Sequence, residues 1–135
     1  MAGRSMKINK IHFILYVADQ ARARDFYGRV LQTRAGFDAP GMTEFAMSDS
    51  TILGLMPSVG IKRLLGDALP DPGEADGVPR AELYLLVDDP AACHARALSA
   101  GAKELLPLQP MNWGHEVAYS LDLDGHVLAF ARRLQ

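Results

Sequence analysis

The chain has 135 residues, 49% hydrophobic and 22% charged, enough to bury one ordinary core but not two independent ones. Its formal charge of −2, with Lys and Arg scattered rather than striped, gives no electrostatic footprint for nucleic acid, whose binding is dominated by phosphate neutralisation. No apolar run approaches the roughly 18 residues that span a bilayer, the N-terminus lacks the apolar core of a signal peptide, and the single cysteine, Cys93, excludes an intrachain disulfide, so a soluble cytoplasmic protein is expected.

Met1 to Ser5 precede a second methionine, Met6, and read as a start-site or expression extension; residues 1–9 are set apart from the fold as an N-terminal extension. Residues 10–17, rich in Ile, Phe, Tyr and Val, read as a strand. Asp19 is a helix N-cap, and Ala23, Phe26, Tyr27, Val30 and Leu31 form an apolar stripe at helical spacing that Gly36 ends. Short strands near 35–38, 43–48 and 51–56 complete a first module, 10–56. Residues 57–80 follow, with four prolines and four glycines in 24 residues. Structureless connections of that length are uncommon, so this one is an inter-module strap with one packed turn at Ile61–Leu65, a lid, or a dimer contact.

The second module, 81–132, opens with a strand over 81–87. Asp88 or Asp89 caps the next helix, Pro90 suits its first turn because its missing N–H has no partner there, and Gly101 ends it. Cys93 and His94 lie on this helix, Cys93 as a packed thiol and His94 as a partly exposed side chain. Strands near 103–108, 115–121 and 127–132 complete the module.

The same pattern is therefore made twice. Ile14-Leu15-Tyr16-Val17-Ala18-Asp19 recurs 70 residues later (17 + 70 = 87) as Tyr84-Leu85-Leu86-Val87-Asp88-Asp89, and Asp49 to Leu55 recurs as Asp124 to Phe130. Two such modules in one small chain imply a shared binding surface. Strand alternation assigns the side chains. Phe13, Leu15 and Val17 make an apolar face for a helix, which leaves His12, Ile14 and Tyr16 for the binding surface, and the same logic selects Glu82, Tyr84 and Leu86. His12 and Glu82 are thus repeat equivalents (12 + 70 = 82). If Tyr119 lines the surface, Val117 and His115 share its face. Trp113 is a rim platform for a planar ligand or a core plug. Glu44 is solvated or reaches the mouth of the surface, and His126 makes a local hydrogen bond in its turn. The zincin pattern His-Glu-x-x-His is absent, because position 118 is Ala118.

His12 to Val17 with Asp19, Asp25-Phe26-Tyr27, Leu31, Trp113-Gly114 and the turn Asp122-Leu123-Asp124-Gly125-His126 resemble the vicinal oxygen chelate superfamily, which includes glyoxalase I, extradiol dioxygenases and bleomycin-resistance proteins. The resemblance covers Lys10 to Arg132. It implies an α+β fold, two tandem βαβββ modules forming a curved mixed-sheet cup, commonly homodimeric, with a metal at the cup centre in the enzymes. Ligands there come from the first and last strands of each module. Here those positions hold His12 and Glu82, which can ligate, and Gly54 and Ala129, which cannot, whereas catalytic zinc takes three protein ligands. The expectation is a homodimeric small-molecule-binding protein without resident cofactor, its cup holding an amphipathic organic ligand against His12, Tyr16, Gly54, Glu82, Tyr84, Trp113, His115 and Tyr119. The alternative is a metal-dependent lyase, isomerase or dioxygenase-like enzyme with the metal on His12 and Glu82.

Overall fold

The computed structural model describes residues 6–135. Of the expected N-terminal extension, residues 1–5 lie outside the described residues and 6–9 carry no regular structure, and the first strand begins at Ile11, one residue later than expected. The first module comprises β1 (Ile11–Val17), α1 (Gln20–Leu31), β2 (Phe37–Ala39), β3 (Met42–Ser48) and β4 (Thr51–Pro57). A helix, α2 (Ser58–Leu65), and two short 3-10 turns lead to the second module: β5 (Glu82–Leu86), α3 (Pro90–Ser99), β6 (Lys103–Pro110), β7 (His115–Leu121) and β8 (Val127–Arg133). Each module is a four-stranded mixed sheet, ordered β1-β4-β3-β2 and β5-β8-β7-β6. In each, the first strand runs parallel to the last, with Ile14 opposite Gly54 in one and Tyr84 opposite Ala129 in the other. These registers make Gly54 and Ala129 equivalent positions, as the repeat requires.

Capping and burial explain the helices. Asp19 accepts a hydrogen bond from the Arg22 backbone N–H at 3.0 Å, and Asp89, rather than Asp88, accepts one from Ala92 at 3.1 Å, satisfying donors that a helix start leaves free. Helix α1 ends earlier than Gly36, with Gln32 in the left-handed region at φ 54°. Its stripe Ala23, Phe26, Tyr27 and Val30 is buried with Leu15, Val17, Phe45, Leu53 and Leu55 of the first sheet and Ala97, Leu128 and Phe130 of the second module, in one continuous core. Each fully buried Phe or Leu contributes about 1.5–3 kcal/mol, and the shared core is why neither module is independent.

Several expectations need correction. Phe13 is 55% exposed, because α1 packs over β3 and β4 and the core closes over only the Leu15–Val17 end of the edge strand β1. Its ring lines a cleft of about 250 Å3 with Leu53, Leu83 and Leu85. His94 is buried, since the alanine-rich α3 packs closely on β6, β7 and β8, and its Nε2 pairs with Glu104 Oε2 at 2.9 Å. Cys93 is partly buried against the core, with the Arg96 guanidinium 3.4 Å from its sulfur. The connection after β4 has more structure than a single turn: α2 runs from Ser58 to Leu65 with Ile61 buried beneath it.

The seam between the modules is polar and specific. Asp122 accepts from the Tyr27 hydroxyl at 2.5 Å and from the backbone N–H groups of Asp124 and His126, each at 2.9 Å. Asp124 accepts from Ala18 N–H at 2.8 Å. His126 is buried, and its Nε2 reaches the Tyr16 carbonyl at 3.2 Å. Its side chain therefore bridges modules instead of making only a local bond. The strap closes over the same turn, the Arg80 guanidinium donating to the carbonyls of Val78, Pro72 and Asp124.

Candidate ligand-binding site

On each sheet, the face opposite α1 or α3 carries the even-numbered set of the first strand, and α2 meets the Met56 end of that face in the first module. Directly paired residues share a face, so the registers extend that face across the sheets. In the first sheet it holds His12, Ile14 and Tyr16 with Ile52, Gly54 and Met56, then Met42, Glu44 and Ala46. In the second it holds Glu82, Tyr84 and Leu86 with Val127, Ala129, Ala131 and Arg133, then Leu121, Tyr119, Val117 and His115.

The first face places His12 beside Glu44 instead of Glu82. His12 Nδ1 lies 3.7 Å from Glu44 Oε2, with the side chains 43% and 28% exposed, so the pair is weak and screened. Glu44 is thereby a wall residue, not a merely solvated one. It is opposite Gly54 in the β3–β4 register, a cross-strand relation the one-strand alternation did not reveal. A β-carbon at Gly54 would meet Ile14 Cγ1 at 3.1 Å and Met42 Sδ at 3.2 Å. Apolar side chains thus fill the space next to this backbone position, where a metal ligand would otherwise start. Among the described residues no group of three His, Cys, Asp or Glu converges as a metal shell requires, and this donor set does not fit one. Tyr16 sits at the other end of β1, lining a small pocket together with Ser58 and Pro72 of the strap.

The second face brings its residues together. Val117, Ala129 and Ala131 form a fully buried floor, covered by Tyr84, Met111 and Tyr119. The small alanines allow the aromatic rings to lie close to the sheet. Trp113 Nε1 donates to the Tyr84 hydroxyl at 2.9 Å, and that oxygen is 2.6 Å from His115 Nδ1. Indole N–H is only a donor. The tyrosine oxygen therefore accepts from Trp113, and with His115 it either gives its O–H to a bare Nδ1 or accepts from Nδ1–H, according to the ring's tautomer. The Tyr84 and His115 ring centroids are 5.7 Å apart at a 33° tilt. Trp113 remains 51% exposed, which makes it a rim group with one anchored edge, not a core plug. Burial, then electrostatic repulsion from Glu82 and from the ionisable hydroxyl of Tyr84, raise the Tyr119 pKa, so its hydroxyl stays a neutral donor and acceptor.

Of the eight expected site residues, Tyr84, Trp113, His115 and Tyr119 form this cluster, with Glu82 farther along the same face. His12 and Gly54 belong to the first sheet, and Tyr16 to its strap end. His12 and Glu82 make no ion pair with one another among the described residues. A separate groove of about 780 Å3 runs along α1 on the helix side of the first sheet. Its charged wall is occupied internally, with Arg24 3.1 Å from Asp25 and 3.2 Å from Asp38, and we give it no ligand role.

A family model described as Glyoxalase/Bleomycin resistance protein/Dioxygenase superfamily matches residues 10–130. A search of curated proteins finds no match. Among solved structures, a glyoxalase-related enzyme from Fulvimarina pelagi is 21% identical, covers 90% of this chain and 86% of its own, and superposes with a TM-score of 0.77. A glyoxalase/bleomycin resistance protein/dioxygenase from Nocardioides gives 15% identity, 99% and 87% coverage and a TM-score of 0.75. TioX from Micromonospora sp. ML1 gives 23%, 93% and 98%, and 0.72. Identities at this level speak to the fold alone, and the fold agrees with the repeat, the registers and the match along nearly the whole chain: this protein belongs to the glyoxalase/bleomycin resistance protein/dioxygenase superfamily.

Proposed function

We propose that the chain is a small-molecule-binding protein that holds a planar, amphipathic organic ligand on the helix-free face of its second module, for sequestration or resistance and without a resident metal. The observation that carries this reading is the anchored aromatic cluster, in which Trp113 and His115 fix the Tyr84 hydroxyl over an apolar floor. Apolar walls with a few oriented polar groups are what such ligands need. Saturation-transfer NMR with planar aromatic amphiphiles, in the presence of EDTA, tests it. Binding is expected, and Trp113→Ala is expected to weaken it about tenfold, the scale of one lost aromatic contact. Binding that appears only on adding a divalent metal would contradict it.

The reading includes a homodimer. The edge strand β1 has no partner on one side and exposes Ile11, Phe13 and Ile14, while Leu86 of the edge strand β5 is 55% exposed. Unpaired apolar edges need cover. Light scattering should give about twice the chain mass of 14.7 kDa; the monomer value at micromolar concentration would count against this. With one free cysteine and no described helix long and apolar enough to cross a membrane, the reading assigns the chain to the cytoplasm.

One observation favours a second reading, a metal-dependent lyase, isomerase or dioxygenase-like enzyme. His12 and Glu44 already lie 3.7 Å apart on one face, and Glu82 from the facing half of a dimer would supply a third donor. Metal content separates the two readings.

A further inference from the structure

We propose that Tyr84, His115 and Trp113 form a carboxylate receptor that takes up one proton together with its ligand. This rests on the binding reading above and adds the ligand's chemical class. In the neutral tautomer with Nδ1 bare, the hydrogen bonds close on themselves: Trp113 N–H points to the Tyr84 oxygen, and the Tyr84 proton points to His115 Nδ1. Only His115 Nε2–H is left to offer. When Nδ1 takes up a proton while Nε2 keeps its own, the His115 ring is positively charged and a donor at both nitrogens. The Tyr84 oxygen then accepts from both neighbours, and its own O–H must turn away from them. The trio now presents two donors and a positive charge, a charge-assisted site for a carboxylate oxygen. An uncharged ligand gains much less from the switch.

The surrounding charges agree with an anion at this end of the face. Arg133 is directly opposite His115 in the β7–β8 register, is exposed, and has no ion pair among the described residues. Glu82 is aligned through Val127 with Leu121, six residues along β7 from His115, about 20 Å at strand rise. Lys103 is opposite Leu121 at that same far end. Tyr119 lies between, neutral because its pKa is raised by burial and by Glu82 and Tyr84. Glu116 and Arg132 pair with each other on the opposite face. A carboxylate lying between Arg133 and His115 would favour the charged ring, which ties proton uptake to binding. The change is sought between pH 5.5 and 8, where a carboxylate stays ionised.

Two measurements test this. Trp113 is the only tryptophan, so its emission in the free protein should follow a one-proton transition over that range, absent in His115→Gln. Calorimetric titration of EDTA-treated protein with 2-naphthoate should show affinity rising about tenfold from pH 8 to pH 5.5, while uncharged 2-naphthamide binds equally at both. His115→Gln should flatten the naphthoate response, and Tyr84→Phe should remove the preference for naphthoate. Equal, pH-independent binding of the two probes would overturn the receptor and leave the binding reading standing. Failure of both probes to bind, with Trp113 emission unchanged by pH, would overturn both.

Discussion

Gly125→Ala is expected to lower the unfolding free energy by about 3 kcal/mol and the melting temperature by about 10 °C, measured by calorimetry. Two costs combine. Gly125 has φ +88°, a left-handed conformation that alanine resists, and a β-carbon there would overlap the Gly77 carbonyl of the strap. Gly41 separates these costs, because its φ is +96° but nothing lies within 4 Å of the position a β-carbon would take. Gly41→Ala should therefore cost only about 1 kcal/mol, the conformational part alone. Equal losses in the two variants would show that the strap does not press on the turn.

Asp122→Ala should be comparably damaging, about 3 kcal/mol, because the side chain satisfies three donors at the buried seam: the Tyr27 hydroxyl and the backbone N–H groups of Asp124 and His126. Asp122→Asn keeps acceptor capacity and should cost roughly half as much. Tyr27 adds a pH signature. Burial, then Asp122 and Asp124, raise its pKa well above the ordinary value of 10. The unfolded phenol ionises near 10 while the folded one stays protonated, so its contribution is present below about pH 10 and is lost as pH rises further. Denaturant unfolding between pH 8 and 11 should show that alkaline loss in the natural protein and less of it in Tyr27→Phe.

The repeat was legible because strand alternation and helix capping are local signals. Val17 and Val87, and the caps Asp19 and Asp89, can be aligned with no knowledge of packing. His115 and Tyr119 could also be put on one face, since both lie on a single strand. What local pattern does not carry is which side chains meet across strands. The His12–Glu44 contact depends on the β3–β4 register, and the Tyr84–His115 bond reaches from β5 to β7 across the alanines of β8. Phe13 looked like a core residue from its neighbours, yet the core closes over only the Leu15–Val17 end of its edge strand. His94 looked partly exposed on a helix whose alanines in fact let the backbone approach the sheet. His126 belonged to a turn read as local, but its ring reaches a carbonyl 110 residues away.

Metal analysis by plasma mass spectrometry, on protein purified without chelator, tests the central claim most directly. With Gly54 and Ala129 offering no ligating atoms and the space beside Gly54 filled by Ile14 and Met42, zinc, iron, nickel and manganese should together fall far below one equivalent per chain. One equivalent of a single metal, lost in His12→Ala, would contradict the account.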